Sequence, residues 1–290
     1  MQRWFIINPK SGKKLGGSLQ DVIKKYFPED KIIFTQYQGH ARELAAKAAA
    51  QNIAQVIIAG GDGTINEAVQ SLAFTQTALG IIACGSGNGF ARELGCSLGN
   101  LEERVSCLKD FKVRTFDLGV AGGDYFINLA GLGIEADIAS QFDALGAGGK
   151  RGKWPYFKIG AKAIFSYKAP LIKVKADGKE YEFKNLSLVF ANGRQYGSGF
   201  YIAPKAAFND GFLDMTVIKK ANIFKLLLAL PSFFFPSCKI VSIADTYRIQ
   251  SAEIIFSGAF SYHTDGEPKQ GKDSLRIEIR PAAIKVLSRY

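Results

Sequence analysis

The stretch VIIAGGDGTINEAVQSL, Val56 to Leu72, decides the fold. A continuous β-branched run enters glycines, and Ile, Ala, Val and Leu then recur at helical spacing, so the segment reads as strand, tight loop and helix. Glycines let backbone N–H groups approach oxygens closely, and a helix start adds partial positive charge, so such a loop suits a phosphate. Yet the loop also carries a carboxylate, Asp62. A negative side chain belongs there if the phosphates bring Mg²⁺, which takes one or two carboxylates together with phosphate oxygens and water. It also belongs there if Asp62 accepts a hydrogen bond from a hydroxyl or from the loop itself.

Outward from that loop, WFIIN (4–8), KIIFT (31–35), QVIIAG (55–60) and LGIIAC (79–84) read as buried strands. SLQDVIKKYF, HARELAAKAAAQ and TINEAVQSLAF lie between them with helical spacing and strong helix formers. Alternation of this kind builds a parallel sheet, so an open α/β domain is expected over 1–119. The pattern then changes. FDLGVAGGDYFINLAGLG (116–133) and LIKVKADGKEYEF (171–183) read as hairpins, and LSLVFANG, FLDMTVIKK and AEIIFSG supply further strands. A β-rich second domain is expected over 120–274, with helices near 134–145, 154–166 and 222–230. The last run, within 275–290, is free to pack back on either domain.

In an open parallel sheet all strands end on one edge, and ligands bind in the crevice outside it. Three glycine-bearing turns follow strands here: Asn8-Pro9-Lys10-Ser11-Gly12, Gly60-Gly61-Asp62-Gly63-Thr64 and Gly85-Ser86-Gly87-Asn88-Gly89. Any one could be a simple tight turn, but three on one edge point to a phosphate-binding crevice. The dinucleotide fingerprint is absent, because G-x-G-x-x-G spacing is missing and Ala83 stands where an acidic residue would follow. The P-loop and the protein-kinase H-R-D and D-F-G signatures are missing as well.

The 290-residue length suits two domains, and the net charge of +11 calls for an anionic partner: nucleic acid, nucleotide or lipid surface. No helix-turn-helix, RNP motif or zinc module is visible, so nucleic acid is not the expected partner. Cys84, Cys96, Cys107 and Cys238 are scattered, as free thiols in a reducing compartment would be. His40 and His263 lack metal-ligand spacing and read as structural. The apolar run before Asn8 is too short for a signal peptide, which points to the cytoplasm. IFKLLLALPSFFFPSC (223–238) is interrupted by Lys225, Pro231 and Pro236, and reads as a buried helix followed by an irregular turn rather than a membrane span.

The motifs N-P-x-S-G (Asn8 to Gly12), G-G-D-G-T-I-N (Gly60 to Asn66), G-S-G-N (Gly85 to Asn88) and D-G-E (Asp265 to Glu267) occur in that order over almost the whole length. With them the chain resembles the diacylglycerol kinase catalytic family, which includes sphingosine, ceramide and bacterial lipid kinases and shares its nucleotide domain with NAD kinases. The resemblance implies an α/β domain with a parallel sheet, a β-sandwich-like second domain and ATP-dependent phosphorylation of a lipid hydroxyl in the cleft between them. By match to the motifs, ATP would meet Asn8, Pro9, Lys10, Ser11, Gly12, Lys13, Lys14, Thr35, Gly60, Gly61, Asp62, Gly63, Thr64, Ile65, Asn66 and Ser86. The family's G-[ST]-x-N-D reads G-S-G-N-G here, with Gly89 in place of aspartate.

Phosphoryl transfer to a hydroxyl needs a group to orient the nucleophile and take its proton, while metal and cations neutralise the transferred phosphoryl. The resemblance makes Glu267 the base with Asp265 supporting it, the reverse assignment staying open, and places Asp62 beside the nucleotide as a third catalytic carboxylate. FNDGFLD (208–214) matches the family's D-G-x-L segment, which implies a structural Mg²⁺ held by the Asp210 carboxylate and the backbone carbonyls of Ala207 and Phe212. The basic, aromatic stretch from Gly148 to Lys175 is either a solvated face or a peripheral dock on an anionic membrane. Two other functions stay open: an NAD kinase, and a nucleotide- or lipid-binding regulator without catalysis. Whether the chain works alone or as a homodimer is not readable.

Overall fold

The computed structural model describes residues 2–11, 16–85, 87–96, 98–134, 171–197, 199–237 and 242–289. The basic stretch lies outside them up to residue 170, as do the helices expected near 134–145 beyond Ile134 and near 154–166.

Strands β1 (Arg3–Ile7), β2 (Lys31–Phe34), β3 (Gln55–Gly60) and β4 (Ala78–Ala83) form a parallel array in the order β2-β1-β3-β4. Helices α1 (Gly16–Tyr26), α2 (His40–Ala50) and α3 (Asp62–Leu72) connect them. β3 and β4 are buried throughout, as their unbroken apolar runs require. β2 differs from expectation: it is the edge strand of the array, paired only with β1, and its burial is partial. Two short helices, α4 (Gly89–Glu93) and α5 (Leu101–Ser106), follow β4.

Antiparallel pairing dominates thereafter, through β5 (Lys112–Ala121), β6 (Asp124–Phe126), β7 (Leu129–Gly133), β8 (Leu171–Ala176) and β9 (Lys179–Ala191). The small ribbon β10 (Gln195–Gly197) and β11 (Phe200–Tyr201) comes next, then β12 (Leu213–Lys219) and helix α6 (Ile223–Phe234). The chain ends with β13 (Ala244–Ile249), β14 (Ser251–Thr264) and β15 (Glu267–Ser288).

β15 joins the two halves. Its first part pairs with β14 and with β5. The register shifts between Arg280 and Ile284, where Ala282 sits at φ 51°, and Val286 then lies parallel to Leu79 of β4. Both halves thus share one 13-stranded mixed sheet. Ala283, Ile284, Val286 and Leu287 belong to the core around β1, β3 and β4, whereas Leu275, Ile277 and Ile279 belong to the core built on Phe126, Phe190 and Ile254.

A third cluster, with Leu129, Val189, Ala191 and Ile202, lies under α6 and takes in its Ala229 and Phe233. The sequence predicts a buried helix here, but among the described residues only one side of α6 is covered. Phe224, Leu227 and Leu228 face outward. Among the described residues no helix is long and apolar enough to cross a membrane.

Candidate active site

The three turns meet at the carboxyl edge of the parallel sheet. The first is folded by Asn8, whose Oδ1 accepts from Lys10 N–H at 3.0 Å and whose carbonyl accepts from Ser11 N–H at 3.1 Å. Asn8 Nδ2 donates to Thr64 Oγ1 at 2.9 Å, and Gly61 N–H donates to Ser11 Oγ at 3.3 Å, so the first turn is stitched to the second. The third turn is closed by Asn88, which accepts from Gly85 N–H at 2.9 Å and donates to Gly85 O at 2.7 Å. Glycine is required where the loops cross. A Cβ on Gly85 would stand 2.9 Å from the Gly61 Cα, and one on Gly60 would stand 2.8 Å from the Thr64 Cβ.

Asp62 is the first residue of α3, two positions earlier than the Thr64 start expected from sequence. Its carboxylate accepts from the backbone N–H of Asn88 and from its own. Burial first, and then the negative charge of Asp265, push its carboxyl up to about 6. The second option raised by the sequence, that Asp62 bonds within the loops, describes part of its role. The rest is a half-buried acidic pair.

Asp265 and Gly266 form a two-residue turn between β14 and β15, with both residues in the left-handed region at φ 49° and 88°. The Asp265 carboxylate points inward. Its Oδ1 accepts from Asn128 N–H at 2.9 Å and Leu129 N–H at 3.0 Å; its Oδ2 accepts from Ile127 N–H at 2.9 Å and Asn66 Nδ2 at 2.8 Å. Burial pushes this carboxyl up, against the downward pull of the four donors. Glu267, one residue past the turn, is exposed and projects to the glycine loop, where its Oε1 occupies the space a Cβ on Gly63 would take.

A cleft of about 350 Å³ is lined by Asn8, Lys10, Ser11, Thr35, Gly61, Gly63, Thr64 and Glu267, all residues the sequence singles out. Gln36, Tyr37, Gln38 and Glu67 also line it and were not singled out. The signal for the first three was available, since they follow Thr35 at the same sheet edge. Glu67 lies one helical turn beyond Gly63, and it accepts from Gly39 N–H at 2.9 Å and Ala41 N–H at 3.2 Å, which fixes the start of α2 against α3.

Other expected residues sit elsewhere. Ile65 points into the core, and the Asn66 amide is spent on Asp265, the Tyr125 carbonyl and Gln70. Gly12, Lys13, Lys14 and Ser86 lie outside the described residues. Asp210 does not line the cleft. Its Oδ2 is 2.6 Å from the Arg248 guanidinium and its Oδ1 accepts from Phe212 N–H at 3.1 Å. Among the described residues no group of three His, Cys, Asp or Glu side chains could hold a metal ion, so an ion held by one or two carboxylates would take its remaining ligands from backbone, phosphate or water oxygens. His40 Nδ1 accepts from Gln36 N–H at 3.1 Å, and His263 is buried, which pushes its pKa down to about 4.

A glycine-rich cleft at the carboxyl edge of a parallel sheet, faced by an acidic hairpin tip, is the arrangement expected of enzymes that handle phosphoryl groups. Residues 2–121 match the diacylglycerol kinase catalytic domain, and residues 129–288 match the YegS C-terminal NAD kinase beta sandwich-like domain. The chain is 33% identical over 261 residues to a diacylglycerol kinase of Mycobacterium tuberculosis, an overlap covering 85% of this chain and 81% of that one. It is 30% identical over 288 residues to a protein of Yersinia enterocolitica named "Probable lipid kinase YegS-like", covering 95% and 94%. Its fold is similar to that of a diacylglycerol kinase from Bacillus anthracis, with a TM-score of 0.74 at 22% identity over 99% of this chain and 96% of that one. The chain belongs to the diacylglycerol kinase family of lipid kinases.

Proposed function

We propose that the protein transfers the γ-phosphate of ATP to the hydroxyl of a diacylglycerol-like lipid in the cleft between the nucleotide half, residues 1–119, and the β-rich half, residues 120–274. The observation that carries this reading is the position of Glu267. It comes from the second half, yet it stands against Gly63 in the phosphate-type loop of the first. A group that takes a proton from an acceptor must lie within reach of both the acceptor and the phosphoryl being transferred.

The division of work follows from the contacts. Asp265 has four N–H donors on its two oxygens, so it fixes the turn and leaves Glu267 as the carboxylate with access to the cleft. Glu267 takes the proton of the lipid hydroxyl as the new O–P bond forms and the bond to the departing ADP breaks. Lys10 and the start of α3 face the phosphates, and Ser11, Thr35 and Thr64 line their path. Asp62 fits a divalent cation: it is a half-buried carboxylate raised by desolvation and by a second carboxylate, and a cation relieves both effects. Mg²⁺ at this point, together with phosphate oxygens, would neutralise the charge on the transferred group. A structural Mg²⁺ at Ala207, Asp210 and Phe212 would share Asp210 with the Arg248 guanidinium.

The test is labelled ATP with Mg²⁺ and a panel of lipids, read by separating the phosphorylated products. Label in a diacylglycerol or a related lipid alcohol is the expected result. No lipid product alongside robust phosphorylation of NAD would overturn the reading.

A further inference from the structure

Apart from Lys225 and Ser232 helix α6 is apolar, but among the described residues only one of its sides is covered. Leu226, Ala229 and Phe233 pack on the third core cluster, and Phe200 stacks on Phe233 at 4.8 Å. Away from that side Phe224, Leu227 and Leu228 recur at spacings of three and four residues as one helical stripe, extended by Phe234, which also meets the Phe200 ring edge-on at 5.6 Å, and by Phe235 just past the helix end. They are 75%, 55%, 50%, 46% and 66% exposed. Most of the exposed large apolar side chains among the described residues lie on this one stripe, whereas singly scattered ones are ordinary on a soluble surface.

The charge around the helix leans positive, with Asp214 and Asp245 at the two borders of the segment. From Met215 to Ala244 the sequence has Lys219, Lys220, Lys225 and Lys239 and neither aspartate nor glutamate. Lys219 is paired with Asp245 at 2.6 Å, and Lys225 is exposed on the helix itself. An apolar stripe flanked by lysines matches a bilayer surface, with acyl chains for the stripe and anionic headgroups for the lysines. The helix is also one layer from the chemistry. Leu129, in the cluster that α6 covers, is one of the three residues whose backbone N–H groups hold Asp265.

We infer that the outer face of α6 is a membrane-docking surface, lying in the headgroup region of an anionic bilayer so that the cleft meets its lipid at the interface. This rests on the reading of the protein as a lipid kinase, but its test needs neither nucleotide nor acceptor. Sedimentation is measured with vesicles of phosphatidylcholine alone and of phosphatidylcholine with phosphatidylglycerol, for the parent and for Leu227→Ser/Leu228→Ser, the fold of the variant being checked by its thermal unfolding. The expected result is binding by the parent that rises with phosphatidylglycerol and survives moderate salt in part, because its apolar component is not screened. The double variant should bind at least about tenfold more weakly. Emission from Phe224→Trp, after subtraction of the parent spectrum, should shift to the blue on adding vesicles. Parent-like binding by a folded double variant, no binding by the parent, or no shift would each overturn the dock. So would a parent dimer that the double variant dissociates while vesicle binding is unchanged. Loss of docking with intact transfer to a short-chain acceptor in detergent supports both readings, whereas docking without any transfer leaves the dock standing and removes the kinase.

Discussion

Two Asp-Gly turns close hairpins in this protein, and they are built alike. Asp177-Gly178 joins β8 to β9 with φ values of 45° and 77°; Asp265-Gly266 joins β14 to β15 with 49° and 88°. In both, the aspartate carboxylate reaches across to backbone N–H groups of a neighbouring segment. Asp177 accepts from Gln250 and Ser251, each at 2.9 Å, whereas Asp265 accepts from Ile127, Asn128, Leu129 and the Asn66 side chain. The difference lies in where the tips are carried. The first is exposed and followed by Lys179, and the second is driven against α3 and followed by Glu267 beside Gly63. The same local chemistry makes a plain turn in one place and a candidate catalytic tip in the other, so position in the sheet decides the role.

The largest effect that would sharpen this contrast is expected from Asp265→Ala. It leaves four donors facing inward with no acceptor, at about 1–3 kcal/mol for each one that stays unsatisfied. A strongly lowered unfolding midpoint in a thermal melt, together with loss of turnover, is the predicted outcome. Asp62→Asn should separate these two quantities. The folded carboxyl is raised from 3.8 to about 6, so its ionised form carries a penalty that grows as pH rises from about 4 to 6 and is full above that. Removing the charge should therefore leave the midpoint at pH 7 to 8 unchanged or higher while turnover collapses. For the parent, turnover should fall as pH drops through about 6, as Asp62 takes up a proton; a profile flat across that range would argue against an ionised Asp62.

Gly63→Ala is expected to have an intermediate effect. Alanine suits the first turn of a helix better than glycine by about 0.5–1 kcal/mol, so stability should hold. The new methyl would displace the Glu267 carboxylate, and turnover should drop by about tenfold, because small displacements of a catalytic group are costly. The smallest effect belongs to Asp177→Ala, which should cost about 1 kcal/mol for an exposed turn and leave turnover as in the parent. A large loss of activity there would erase the distinction between the two turns.

Much of this was legible in the sequence for local reasons. The β3 run ends at Gly60 as read, because a glycine loop after a β-branched run is a near-neighbour signal. The Asp-Gly tips were legible for the same reason. The inward aim of Asp265 was not, since its partners lie 136 to 199 positions away in the chain. Nor was the pairing of Asp210 with Arg248, 38 positions apart. The apolar composition of α6 reads as burial because a helix that is hydrophobic all round is usually enclosed. Only the packing shows that one face has no cover among the described residues. The edge position of β2 was likewise hidden, because KIIF has the composition of an interior strand and only the pairing scheme places it at the edge.

The most direct test of the proposed division between Asp265 and Glu267 is the transfer rate of Glu267→Gln, measured with labelled ATP and a lipid acceptor alongside its thermal unfolding. Glu267 reaches the cleft from an exposed position, and the turn is held by Asp265, so the variant should unfold at the parent temperature. Its transfer rate should be lower by about 10² to 10⁴, the usual cost of losing a positioned general base. Near-parental transfer by a normally folded Glu267→Gln protein would contradict the account and return the proton-accepting role to Asp265 or to a group outside this turn.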